Sequence, residues 1–222
     1  MTRNWIDTEG IYGWDDAAGW DTGLPQQGDD VLISGGEFTD MVSGPSDPIT
    51  LHYLDVADNV NSLPPLTNVT IENGTIHMGS CVFDGAYSGI TSGLFENAGV
   101  NANPIGILLS ATFTGNAVNS GIVATATFYS ASQNFGTLTT GIFYEHSANK
   151  GGVDNLFLHD AATNSGGSCD TIFINGVLDA NSLISGFGHE RMGIFNIVSL
   201  SGVPAQSTGG GGGPLGGPEI SV

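Results

Sequence analysis

The sequence predicts an all-β protein: a parallel β-solenoid with coils about fifteen residues long and three short faces, an N-terminal cap and a Gly-rich C-terminal tail. Three observations carry this expectation. Gly (35) and Pro (9) make up 44 of 222 residues while charged residues are only 11%, a balance that favours turn-rich β architecture over helices. Between about positions 106 and 186 the chain repeats itself with a period of fifteen. Inside that period lies a finer one of five, in which a small residue is followed two places later by a large apolar one.

Size and charge set the outer limits. At 222 residues and 40% hydrophobic content the chain can build a packed core. Three basic residues (Arg3, Lys150, Arg191) against 22 acidic ones give a net charge of -19. A phosphate backbone needs a Lys/Arg footprint to exchange for its counterions, and an anionic membrane surface needs the same, so neither nucleic acid nor membrane is an expected partner. The opening MTRNWIDTEG lacks the basic start and apolar core of a secretory signal, so if Met1 is the native start, export by the general secretory route is not expected. Cys81 and Cys169 form no CxxC or Cys/His pattern and read as small packed residues.

Residues 1–60 read as an acidic cap or attachment region, holding twelve of the 22 acids and all three tryptophans. Pro25 and Gly28 make a turn, Asp29 and Asp30 lead in, and Val31, Leu32 and Ile33 form a strand ended by Gly35 and Gly36. Trp5, Trp14 and Trp20 are expected to cover the open end of the solenoid, which would otherwise expose apolar surface and strand edge. They are also the residues that would contact a glycan by stacking. Residues 61–200 read as the solenoid. In its first part Val69, Ile71, Ile76 and Met78 alternate around an Asn73-Gly74 turn and read as further strands.

The repeat is clearest at 106–186. Asn119, Asn134, Asn149 and Asn164 recur at every fifteenth position, as do Gly121, Gly136, Gly151 and Gly166. A core stack is expected at Phe113, Phe128, Phe143, Leu158 and Phe173. Taking every fifth residue from Phe113 to Leu183, twelve of fifteen are apolar. Coils of a parallel solenoid lie about 4.8 Å apart, so like residues stack. The asparagines are expected to bond from coil to coil and to turn backbone, with Gly relieving the corner. After Ser185 the period fails, and GFGHERMGIFNIVSL reads as a last strand or cap. Residues 201–222, with five consecutive glycines, read as a flexible tail whose final Glu219 to Val222 looks like a docking peptide.

The small-x-large pattern over positions 106–186 resembles pentapeptide-repeat proteins, whose right-handed β-helices use it, although a fifteen-residue coil implies three faces where their usual coil has four. The run GWDTGLPQQGDDVLISGG is similar to the opening of bacterial and phage β-solenoid proteins. A fifteen-residue repeat with Gly turns also resembles the triple β-spiral of viral fibre shafts; the five-residue subperiod favours the single-chain solenoid.

No catalytic, cofactor or metal signature emerges. Asp15, Asp16, Asp21, Asp29 and Asp30 are dense, but the D-x-D-x-D-G calcium loop is absent. His146 and His159, beside Glu145 and Asp160, occupy different repeat positions. A glycosidase would need two carboxylates on adjacent coils; Asp84 with Glu96, or Asp154 with Asp170, are the pairs to weigh. Polysaccharide lyase chemistry by Arg or Lys is poorly supplied by three basic residues. DNA mimicry fits the total charge, but the repeats carry only Glu145, Asp154, Asp160, Asp170 and Asp179.

The expectation that best fits is a non-enzymatic structural protein of a phage particle: a capsid decoration (cement) protein or a short fibre or attachment component. It would be made in the host cytoplasm and assembled into the virion beside other virion proteins. Trimer formation and host-glycan contact are implied by the resemblance alone.

Overall fold

The computed structural model describes residues 1–6, 12–34, 41–57, 60, 63–103, 105–165, 167–177, 184–185 and 196–199. Among them there is no α-helix, only a short 3-10 turn at Ala17–Gly19, and the named strands pair in parallel. Each coil therefore pairs with the next coil of the same chain, and the fold is a β-solenoid.

Two sheets run along it. The larger has twelve strands and takes in Thr2–Trp5, Asp30–Ile33, Ile49–Val56, Val69–Met78, Ser92–Phe95, Leu108–Phe113, Ile122–Phe128, Thr137–Phe143, Gly152–His159, Ser168–Val177 and Asn196–Ser199 in that order, with Ala86–Ser88 beside Val69–Met78. The smaller has seven short strands, among them Val118–Asn119, Gln133–Asn134 and Ala148–Asn149. Between Ile122–Phe128 and Thr137–Phe143 the pairing passes over Ala124 and Thr139. Val123 and Ala126, three apart, are both buried there, so the strand bends and the large sheet supplies two of the three faces.

Coil length shortens along the chain. Thr2 stands opposite Asp30, Asp30 opposite Tyr53, Tyr53 opposite Thr75, and Thr75 opposite Ser92. The step between partners thus falls from twenty-eight through twenty-three and twenty-two to seventeen and then eighteen; from Leu108 to Val153 it is a constant fifteen. The large sheet runs without a break through the boundary expected at residue 60, so the strands before that boundary are the first coils as well as part of the cap.

The five-residue period holds on two faces and fails on the third. Phe113, Val123, Phe128, Leu138 and Phe143 are buried, whereas Val118, Gln133, Ala148 and Thr163 are half-buried and the asparagine after each lies inside. The cause is a left-handed residue two places after each core position, at Gly115, Ser130, Glu145 and Asp160. That turn adds one residue, so the small inward positions are Ala117, Ser132, Ser147 and Ala162, and Ala131 is exposed.

Phenylalanines fill the interior. Phe95, Phe113, Phe128 and Phe143 stack with ring centroids 4.8, 4.7 and 4.4 Å apart, and Leu158 continues the row opposite Phe143. Burying each ring contributes roughly 1.5–3 kcal/mol. The expected fifth member, Phe173, does not stand opposite Leu158 in register. The coil from Gly152 to Ser168 is one residue longer than those before it, which puts Ile174 opposite Leu158 and Phe173 opposite Phe157.

The N-terminal end is closed. Trp5, Trp14 and Trp20 are buried and meet edge to face, with centroids 5.0 and 5.1 Å apart, and Trp20 Nε1 donates to Trp14 O at 2.7 Å. The free edge of Thr2–Trp5 is covered by the segment that follows the 3-10 turn: Ile6 N donates to Gly19 O and Asp21 N to Asn4 O. This removes the strand edge that end-to-end association would use.

Candidate functional site

The asparagines form one continuous internal ladder. Nδ2 of Asn119 donates to Oδ1 of Asn134 at 2.7 Å, Asn134 to Asn149 at 2.8 Å, and Asn149 to Asn164 at 2.8 Å. Each of the first three also accepts from, and donates to, the glycine two residues on, at Gly121, Gly136 and Gly151. Buried amides demand this satisfaction, and aligned dipoles reinforce one another. The ladder has one rung that the period did not reveal: Asn101 donates to Asn119 at 2.7 Å across a longer coil. Gly166 lies outside the described residues; Asn164 donates instead to Gly167 O at 3.1 Å.

These glycines are required by space. A Cβ on Gly136 would sit 2.1 Å from Gly121 O, and one on Gly151 2.1 Å from Gly136 O. The corner is tight because the coil above leaves no room, not because the backbone needs a left-handed angle.

The tryptophans do not form a ligand platform. At 2–3% exposure no indole face of Trp5, Trp14 or Trp20 is open to a glycan, which corrects that assignment and leaves them as the cap. The dense acids of this region have structural partners. Asp29 is buried and takes Arg3 Nε at 2.8 Å, Gln26 N at 3.0 Å and the Met1 amino group at 3.0 Å. Burial alone would raise its pKa; the bonds from Arg3 and Gln26 and the nearby ammonium outweigh that and hold it below the ordinary carboxylate value. Asp16 caps the 3-10 turn, Asp15 accepts from Ser46 N, and Asp21 accepts from Asn4.

The carboxylate pairs weighed for glycoside hydrolysis fare differently. Asp84 Oδ1 accepts from Leu66 N at 2.7 Å and holds a turn, while Glu96 faces His77. Asp154 and Asp170 directly follow Val153 and Cys169, which are opposite each other in register. His146 and His159 are separated by role: the His159 ring stacks on Tyr144 at 4.4 Å, and Tyr144 on Tyr129 at 5.1 Å, whereas His146 is exposed on the turn beyond. Cys81 is buried and its thiol donates to Val60 O at 3.2 Å; burial raises its pKa.

Two outward arrangements lie apart from the ladder and the core stack. One is the row Tyr129, Tyr144, His159, whose members occupy the same place in successive coils. The other joins three coils: His77 Nδ1 lies 2.8 Å from Asp55 Oδ1 and its Nε2 lies 3.1 Å from Glu96 Oε2, while Tyr53 Oη donates to Asp55 Oδ2 at 3.1 Å. The two intervals there, 22 and 19, fall where coil length is still changing, so no fixed period exposes them. Among the described residues no group of three or more His, Cys, Asp and Glu is arranged to hold a metal ion, and no helix is long and apolar enough to cross a membrane. No protein family model, curated protein or solved structure matches this chain.

Proposed function

We propose that this chain is a non-enzymatic structural component of a phage particle, a capsid decoration protein or a short fibre or attachment segment, acting as a homotrimer beside other virion proteins. The observation that carries the reading is the filled interior. From Phe95 to Asn164 phenylalanine and asparagine rows run coil to coil. Each coil adds about 4.8 Å of length. The result is a stiff spacer closed at its N-terminal end, whose exposed residues include Ser120, Thr125, Thr137 and Thr139 beside the apolar Ile122 and Phe135. Such a body suits holding shape and distance in a particle better than turning over a substrate.

Mass spectrometry of purified particles from the source culture tests the reading. The chain is expected in the particles at a fixed ratio to the major capsid or tail protein. Abundance in the lysate with absence from the particles overturns it. Light scattering of the chain with and without residues 208–222, which lie outside the described residues, is expected to give a trimer and to show whether the tail contributes to assembly.

A second reading, contact with a host glycan, rests on the exposed Tyr129 and the half-buried Tyr144 stacked on it. Neither hydroxyl has a hydrogen-bond partner among the described residues, and both rings hang on the outer face with His159. A glycan array on the chain and on its Tyr129→Ala/Tyr144→Ala variant tests it; absence of binding by the unmodified chain retires it.

A further inference from the structure

We propose that the exposed apolar corner formed by Ile107, Ile122 and Phe135 is the surface on which copies of this chain dock, side by side and pointing the same way. The proposal rests on the homotrimer reading above and assigns it a place. Residues 97–144 contain no Asp, Glu, Lys, Arg or His, in a chain with 22 acids. The stretch winds past Asn101, Asn119 and Asn134, each opposite the next, and so forms an uncharged belt around the solenoid.

Exposed apolar residues collect in that belt. Of the ten large apolar side chains exposed among the described residues, six lie there: Ile105, Ile107, Leu109, Ile122, Tyr129 and Phe135. Apart from Tyr129 they adjoin one another. Leu108 is opposite Val123, which sets Ile107 beside Ile122, and Ile105 and Leu109 stand two places either side of Ile107. Ile122 is opposite Thr137, two places after Phe135. The small-sheet strand Val118–Asn119 ends and Ile122–Phe128 begins at this point, so the patch rides the corner between the two sheets. Exposures of 40% to 65% give the five side chains on the order of 500 Å² together, the scale at which an apolar patch marks a partner surface. Exposed Ser120, Thr137 and Thr139 border it, and with them the face approaches the roughly 800 Å² per partner of a stable interface.

Charge decides what covers it. Two molecules of net charge -19 repel where their acids face each other. Copies laid level, belt against belt, meet where there are none. The rim of the patch sets the direction. Lys150 takes the place of Phe135 one coil on, since Phe135 N donates to Asn119 O and Lys150 N to Asn134 O. Asp154 follows Val153, the partner of Leu138, and so takes the place of Thr139. Both are exposed, on opposite sides of one corner. A closed ring of like-oriented copies brings one side of the corner on each protomer to the other side on the next, which puts Lys150 of one protomer level with Asp154 of its partner. Lys150 Nζ donates to Gln133 and sits 5.1 Å from the Phe135 ring centroid, and an ammonium group has three N–H donors to share with that carboxylate. A projecting corner is also the part of each coil that three copies can bring to one axis.

Light scattering of the full chain and of three variants, each checked for fold by circular dichroism, tests the surface. The unmodified chain is expected at trimer mass and Ile122→Asp at a third of it. Lys150→Glu is expected to weaken association about tenfold and Lys150→Glu/Asp154→Lys to restore it. Both of those positions are exposed, so the exchange reads the surface even where Ile122→Asp does not fold. A trimer that neither Ile122→Asp nor Lys150→Glu weakens overturns this surface and leaves the homotrimer reading standing, whereas an unmodified chain that stays a monomer at every concentration overturns both.

Discussion

The hydroxyl of Tyr87 donates to Oδ1 of Asn101 at 2.9 Å and so terminates the internal asparagine ladder. In the coil before Asn101 the equivalent position is Phe83, which offers no amide. Without Tyr87 the last carbonyl of the ladder would be buried and unpaired. Burial pushes the Tyr87 pKa well above that of a free phenol, which keeps the hydroxyl a donor.

Tyr87→Phe removes that donor while keeping the ring against Phe83, 5.2 Å away. An orphaned buried acceptor costs about 1–3 kcal/mol. Urea unfolding is expected to show a loss in that range with an unchanged m-value. A stability equal to that of the unmodified chain would mean that water reaches Asn101.

Asn134→Ala cuts the ladder in the middle. It removes one bond each from Nδ2 of Asn119, Oδ1 of Asn149 and the N–H of Gly136, which keep their bonds to Gly121 O, Gly151 N and Asn119 O. The expected cost is about 1–3 kcal/mol, because those bonds are lost and one N–H of the Asn119 amide is left unpaired in the interior. Hydrogen exchange is expected to rise on both flanking coils.

Gly136→Ala tests packing between coils. Its new methyl would meet the backbone carbonyl of Gly121, which cannot rotate away. A cost of roughly 1–3 kcal/mol is expected, whereas Gly28→Ala, with open space around it, is opposed only by its backbone angle of φ +78°. Equal losses for the two in parallel melts would refute the steric account.

Acid is expected to loosen the tryptophan end. The Asp29 pKa is held below its ordinary value, 3.8, so the stabilisation is present above that value and is lost as pH falls through the lower folded-state one. All three tryptophans sit in the cap, so their fluorescence reports it. Arg3→Gln removes the strongest partner of Asp29, and its fluorescence transition is expected at higher pH than that of the unmodified chain. Coincident transitions would show that Arg3 does not set the carboxyl's acidity.

Identical residues at a constant interval of fifteen can do little except stack, which is why the coil, the Phe113 to Phe143 row and the Asn119 to Asn164 ladder could be read from the chain itself. The turn at Pro25-Gly28 was legible because it is local, whereas Asn73-Gly74, expected to turn the chain, lies inside the single strand Val69–Met78. What required three dimensions was everything set by unequal coils. Asn101 and Tyr87 complete the ladder across separations of 18 and 14, Ile174 takes the place that the period gave to Phe173, and the left-handed turns at Ser130, Glu145 and Asp160 belong to the face on which Gln133, Ala148 and Thr163 turn outward. Asp55, His77 and Glu96 meet because register sets Asp55 opposite His77 and places Glu96 two residues beyond Leu94, the partner of His77 on its other side. Such a meeting is fixed by sheet register, which depends on how the whole chain winds and leaves no mark at any regular spacing in the sequence.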